Sequence, residues 1–153
     1  MTKVLFVCLG NICRSPMAEF IFKDMIKAKG IENEFLVDSA ATSSYNEKYK
    51  LCIDPQAQDV LSKNKIPFYN RMSRQLRKED YNKFDYILAM EEENIKNIFK
   101  IIGSDTDKKV FKLLDFTKTP RDIIDPWYYG NFDAAYDDIK YGCEGFLEYI
   151  LKK

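Results

Sequence analysis

The stretch from Val4 to Pro16, VLFVCLGNICRSP, leaves this chain few folds to choose from. Val4-Leu5-Phe6-Val7 is apolar at every position, the pattern of a central parallel strand covered by helices on both faces. Small and polar residues follow. Ser15-Pro16 then reads as a helix start, with Ser15 as N-cap and Pro16 at the first helical position. A strand, a turn and a helix in so short a span commit the chain to an α/β unit. They also bring Cys8 to the mouth of the turn, with Arg14 beyond it.

This turn has the make-up of an anion trap with a nucleophile at its floor. Backbone N–H groups from Leu9, Gly10, Asn11, Ile12, Cys13, Arg14 and Ser15 can curl round one tetrahedral oxyanion. Gly10 and Asn11 are the residues expected to take the positive φ that such a nest requires. The free N–H groups of the following helix add positive potential, and Arg14 offers a planar fork for two phosphate oxygens. In that field a thiolate is favoured over a thiol, so Cys8 is the candidate nucleophile. A lone cysteine at a strand end is more often a small buried hydrophobe. Here nucleophile, cradle, guanidinium and hydroxyl fall in one segment, which argues for catalysis. Thiolate attack on phosphorus would give a phosphocysteine, with Ser15 placed to donate a hydrogen bond to the sulfur.

Alternating strands and helices account for the rest of the chain. Strands are predicted over 3–9, 35–40, 85–90 and 109–114, and helices over 16–29, 55–64, 77–83 and 91–102. Ile95, Ile98, Phe99 and Ile102 mark the inner face of the fourth helix. Tyr136, Ile139, Cys143, Phe146, Leu147, Ile150 and Leu151 mark that of a closing helix, which Gly142 and Gly145 should weaken. The architecture predicted is α/β: a single domain over residues 1–153, with one four-stranded parallel sheet and helices on both faces. Ligands in such sheets bind beyond the carboxyl ends of the strands, where the turn after Cys8 lies.

Composition narrows the function. The 24 basic and 24 acidic residues cancel, against the basic excess expected of a nucleic-acid binder. No apolar run approaches the ~20 residues of a membrane span, and the start MTKVLFVCLG runs into a strand without a signal-type segment, so a cytoplasmic protein is expected. Cys8, Cys13, Cys52 and Cys143 are too few and scattered for a disulfide framework. There is no histidine, which removes His-based triads and most zinc sites; neither a metal nor a cofactor is expected. Cys13 lies across the tight turn from Cys8, and peroxide is expected to oxidise Cys8 to a sulfenic acid that Cys13 captures as a disulfide.

With CLGNICRSPMAE, VDSAATSSYN, DPQAQDVL, SRQLRKEDYNKFDYILAME and DPWYYGNFDAAYDDI in view, the chain resembles the low-molecular-weight protein tyrosine phosphatases over essentially its whole length. The resemblance implies a sheet order of 2-1-3-4. It implies hydrolysis of phosphotyrosine in proteins, or of small aryl phosphates, with inorganic phosphate as product. Asp125, before Pro126 and aromatics in a long loop, is implied as general acid and later general base. Tyr45, Trp127 and Tyr128 are implied as walls for an aryl ring, and Asn11, Ser39 and Asp38 as supports for the phosphate loop. The chain departs from the family pattern twice: Arg71 stands where many members have histidine, and Trp127-Tyr128-Tyr129 is one residue longer than the common aromatic pair. Three other readings use related chemistry. Arsenate reductases share the fold but need paired resolving cysteines downstream, and phosphocysteine carriers of sugar uptake lack this arrangement of Arg14 and Asp125. A phosphotyrosine-binding module without turnover would be expected to lose Cys8 or Asp125.

Overall fold

Every strand of the sheet runs parallel, so each must be reached by a crossover, and the helices that make those crossovers cover both faces. The computed structural model describes residues 1–153. The elements are β1 (Thr2–Cys8), α1 (Arg14–Ala28), β2 (Phe35–Ala41), α2 (Tyr45–Lys48), α3 (Pro55–Lys63), α4 (Asp80–Lys83), β3 (Tyr86–Ala89), α5 (Glu92–Ile102), β4 (Val110–Lys112), α6 (Pro126–Tyr129) and α7 (Phe132–Leu151). The strand order is β2-β1-β3-β4. Cys8 pairs in register with Ala41 of β2, and Val7 with Ala89 of β3. Cys8 thus ends a central strand, beside the point where the strand order reverses.

Period-two alternation sorts the core. Val4, Phe6 and Cys8 face a large cluster with Met17, Ile21, Leu61, Ile139 and Phe146 from α1, α3 and α7. Leu5 and Val7 face the other way, against Leu76, Phe84, Ile98 and Ile102. Tertiary packing trims several predicted elements. The segment expected as a helix over 77–83 is α-helical only in the single turn of α4; ahead of it the backbone makes tighter i+3 bonds, from the Asp80 N–H to the Arg77 carbonyl at 3.0 Å and from the Tyr81 N–H to the Lys78 carbonyl at 3.2 Å. The fourth strand stops at Lys112, where Leu113–Phe116 winds into a 3₁₀ turn. Phe99 and Leu151, predicted to face inward, are exposed at the edges of their helix faces.

Gly142 and Gly145, expected to weaken the closing helix, instead let it approach that 3₁₀ turn. A Cβ on Gly145 would lie 2.5 Å from the Phe116 carbonyl oxygen, and one on Gly142 would lie 2.6 Å from Leu113 Cγ. Gly145→Ala should therefore destabilise the protein. The clash with backbone, of the 1–3 kcal/mol size seen on overpacking, outweighs the ~1 kcal/mol of helix propensity gained. Thermal unfolding should show a Tm lower by a few degrees, and a Tm equal to or above that of the parent would contradict the packing argument.

Candidate active site

The loop after β1 is shaped by its own backbone and by three segments that arrive from elsewhere. Asn11 has φ +56, as anticipated, but Gly10 does not take a positive φ. Gly10 serves a different purpose: a Cβ there would lie 2.6 Å from Asn46 Nδ2 and displace that amide. The predicted N-cap is also corrected. α1 begins at Arg14 with Cys13 as N-cap, so Ser15 and Pro16 lie inside its first turn, where N–H groups need no helical acceptor. The N–H groups of Gly10, Ile12, Cys13, Arg14 and Ser15 carry no hydrogen bond to another backbone group and remain available around one cavity.

Freed from capping, the Ser15 hydroxyl lies 3.1 Å from Cys8 Sγ. Its orientation is set from behind. Asn11 Nδ2 donates to Ser15 Oγ at 2.8 Å and to Ser39 Oγ at 2.9 Å, while Asn11 Oδ1 accepts from the Arg74 N–H at 3.2 Å. Both amide protons are thus committed, and the Ser15 proton is left for the sulfur or for the Ala40 carbonyl at 3.4 Å. Ser39 in turn donates to Glu19 Oε1 at 2.6 Å. Arg71, the departure from the family pattern, closes this network: its Nη2 donates to Glu19 Oε1 at 2.7 Å and to Asp38 Oδ1 at 3.2 Å, and also reaches Ser39 Oγ. Asp38 does not touch the loop. It holds Arg71 and Arg74, whose backbone N–H does.

Arg14 is 1 % exposed and extends from the first turn of α1 to the far side of the cavity. Its Nη1 donates to Glu91 Oε2 at 3.0 Å and to the Ile123 carbonyl at 2.7 Å; its Nη2 donates to Asp125 Oδ2 at 3.3 Å. Burial alone would disfavour the guanidinium charge, but Cys8, Asp125 and Glu91 outweigh it and raise Arg14 above its ordinary range. Glu91 follows β3, and Asn94 holds it there by accepting from the Met90 and Glu91 N–H groups, each at 3.1 Å. Ile123, fully buried, ties the acid loop down through its N–H to the Met90 carbonyl at 2.8 Å. Asp125 also caps α6 by accepting from the Trp127 N–H at 3.0 Å.

The cavity above Cys8 has a volume of about 450 Å³. Leu9, Gly10, Ile12, Cys13 and Arg14 form its floor, and Asp125, Trp127, Tyr128, Tyr45, Asn46, Ser43 and Leu51 its walls. Tyr45, Trp127 and Tyr128 are all exposed, so they are held ready at the rim and not spent on the core. Asp115 and Asp122, the other loop carboxylates, do not line it. Neither do Cys52 and Cys143. Cys13 is buried, and burial, then the Asp54 carboxylate and Cys8, push its thiol far above the ordinary range. It is therefore a weak attacking thiol in this conformation.

Known proteins bear directly on this geometry. The family model for low molecular weight phosphotyrosine protein phosphatase matches residues 3–153. The chain belongs to that family. The phosphatase is 40% identical over 157 residues to the Bacillus subtilis low molecular weight protein-tyrosine-phosphatase YfkJ, covering 100% of this chain and 98% of that protein. It is 40% identical over 155 residues to the Staphylococcus aureus PtpA, covering 99% and 96%. The crystal structure of YfkJ superposes with a TM-score of 0.92 at 39% identity, over 99% of this phosphatase and 96% of that chain. The strand order expected from the resemblance is the order found. Asn46, Ser73 and Glu19 contribute to the site without having been anticipated as parts of it, and Glu91, an alternative candidate for the acid, is found holding Arg14. Only Glu19 carried a local signal, as an acid within CRSPMAE, one helical turn beyond Ser15.

Proposed function

We propose that this phosphatase, acting as one domain over its 153 residues, hydrolyses phosphotyrosine in proteins and small aryl phosphates through a phosphocysteine on Cys8. The observation that carries the reading is the convergence on one cavity of the Cys8 sulfur, unpaired loop N–H groups, the Arg14 guanidinium and the Asp125 carboxylate. The phosphate enters with its oxygens on the free N–H groups of Gly10, Ile12, Cys13, Arg14 and Ser15, on Arg14 Nε, and on Arg14 Nη2, which it takes over from Asp125. Cys8 Sγ attacks phosphorus in line with the aryl oxygen; the S–P bond forms as the P–O bond breaks. Asp125 gives its proton to the leaving phenolate, and Ser15 donates to the sulfur before attack and again when the thiolate leaves. Water then attacks phosphorus, losing its proton to Asp125, and inorganic phosphate departs.

Because Arg14 Nη2 contacts Asp125 in the free site, phosphate oxygens that take over the guanidinium release the carboxyl toward the leaving oxygen. Tyr45, Trp127 and Tyr128 clasp the ring. A reduced thiol nucleophile suits the cytoplasm, and no helix of the protein is long and apolar enough to cross a membrane. Rapid quench of an aryl phosphate turnover, followed by peptide mass analysis, should find phosphate on the peptide carrying Cys8. Steady turnover with that peptide never phosphorylated would sink the reading.

A further inference from the structure

We infer that Asn46 and Ser73 are positioning residues for the nucleophile, acting through the peptide that joins Gly10 to Asn11; the inference rests on the reading of Cys8 as nucleophile. The Gly10 carbonyl accepts two side-chain hydrogen bonds, from Asn46 Nδ2 at 2.9 Å and from Ser73 Oγ at 2.9 Å. The N–H of that same peptide, on Asn11, donates to Cys8 Sγ at 3.3 Å. The chain has no cis peptide bonds, so the C=O and N–H of this unit lie antiparallel in one plane, and fixing the oxygen aims the hydrogen. Two donors on the oxygen also polarise the amide and strengthen its N–H as a donor. A thiolate gains more from this than a thiol does, since hydrogen bonds to an ionised acceptor are the stronger kind. Asn46 and Ser73 thereby favour the attacking form of Cys8 without touching the phosphate.

The two donors come from separate parts of the chain and are themselves held. Asn46 belongs to α2, beside the cleft residue Tyr45, and its carbonyl accepts from the Leu51 N–H at 2.9 Å. The Leu51 carbonyl accepts from the Ser73 N–H at 2.8 Å, so the two segments are laced together beneath the loop. Ser73 is buried, and the absence of a side chain at position 10 is what admits the Asn46 amide. Glycine at this position therefore serves the clamp on its carbonyl and not a left-handed turn.

Asn46→Leu keeps the side-chain size and removes one donor; Ser73→Ala removes the other, and Ser73→Thr retains a hydroxyl. Each variant of the full chain is measured for kcat with an activated aryl phosphate and for competitive inhibition by inorganic phosphate. Iodoacetamide alkylation of the Cys8 peptide at one near-neutral pH gives a third readout. Loss of either donor should slow alkylation and lower kcat together, roughly five- to tenfold, with phosphate inhibition unchanged, and Ser73→Thr should restore both rates. The inference is overturned if alkylation is unchanged or faster while kcat falls, because the two residues would then only hold the loop closed. It is overturned equally if phosphate inhibition weakens in step with kcat, or if nothing changes. Absence of phosphocysteine in the parent protein would reject the nucleophile itself, whereas failure of these variants with phosphocysteine intact rejects the clamp alone.

Discussion

Cys8→Ser should reduce turnover of any phosphate monoester on the order of 10⁴-fold or more, the scale of losing a nucleophile, while inorganic phosphate still binds. The reason lies in the separation of the two tasks. The proposed oxyanion site consists of backbone N–H groups and Arg14, none of which the substitution removes, and Arg14 remains anchored by Glu91 and the Ile123 carbonyl. The proposed nucleophile is the sulfur of Cys8, a residue 3 % exposed at the end of β1, with the Ser15 hydroxyl 3.1 Å and the Asn11 N–H 3.3 Å from it. A serine hydroxyl in the same place is a far weaker nucleophile than a cysteine sulfur. Phosphate binding is read by its protection against thermal unfolding, and activity by release of an aryl alcohol with chelator present. Appreciable hydrolysis by the variant would remove Cys8 from the mechanism.

Asp125→Asn should cost about 10²–10⁴-fold with phosphotyrosine and far less with a nitrophenyl ester. The phenolate of tyrosine, whose conjugate acid has a pKa of about 10, needs a proton as it leaves, whereas nitrophenolate departs with little help. Asparagine is the informative replacement because Asp125 has a second role. Its carboxylate caps α6 through the Trp127 N–H, so Asp125→Ala would lose a cap worth about 0.5–2 kcal/mol and loosen the wall that carries Trp127 and Tyr128. The amide oxygen of asparagine keeps that cap and removes the transferable proton. Equal losses on both esters would mean that Asp125 serves the loop structure. The acid would then be sought at Glu91, the other carboxylate on Arg14.

How much of this was legible beforehand depends on distance along the chain. The unit from β1 to α1 could be read because an apolar run, a turn and a helix start are near-neighbour signals, and the residues they juxtapose lie within one short segment. Even there, local rules erred where a tertiary partner intervened. Ser15-Pro16 looks like a cap and first helical residue, yet Ser15 is drawn inside the helix to face Cys8 and Asn11. Gly10 looks like a left-handed turn residue, yet it is glycine to admit Asn46. Lys109–Leu114 looks like one strand, yet α7 offers glycines where Leu113 and Phe116 pack, and a 3₁₀ turn replaces its end.

The sequence by itself determined the α/β class and the parallel sheet and singled out the candidate nucleophile and cradle; its resemblance to the family supplied the strand order and the candidate acid. Only the tertiary structure decided what holds these parts to their task. Asp125 meets Arg14 across 111 residues, Ser73 meets Gly10 across 63, and Arg71 meets Glu19 across 52. Such contacts obey no periodicity or spacing rule. They are fixed by where the sheet delivers each strand end, and polar groups brought together there must satisfy one another or remain buried without partners.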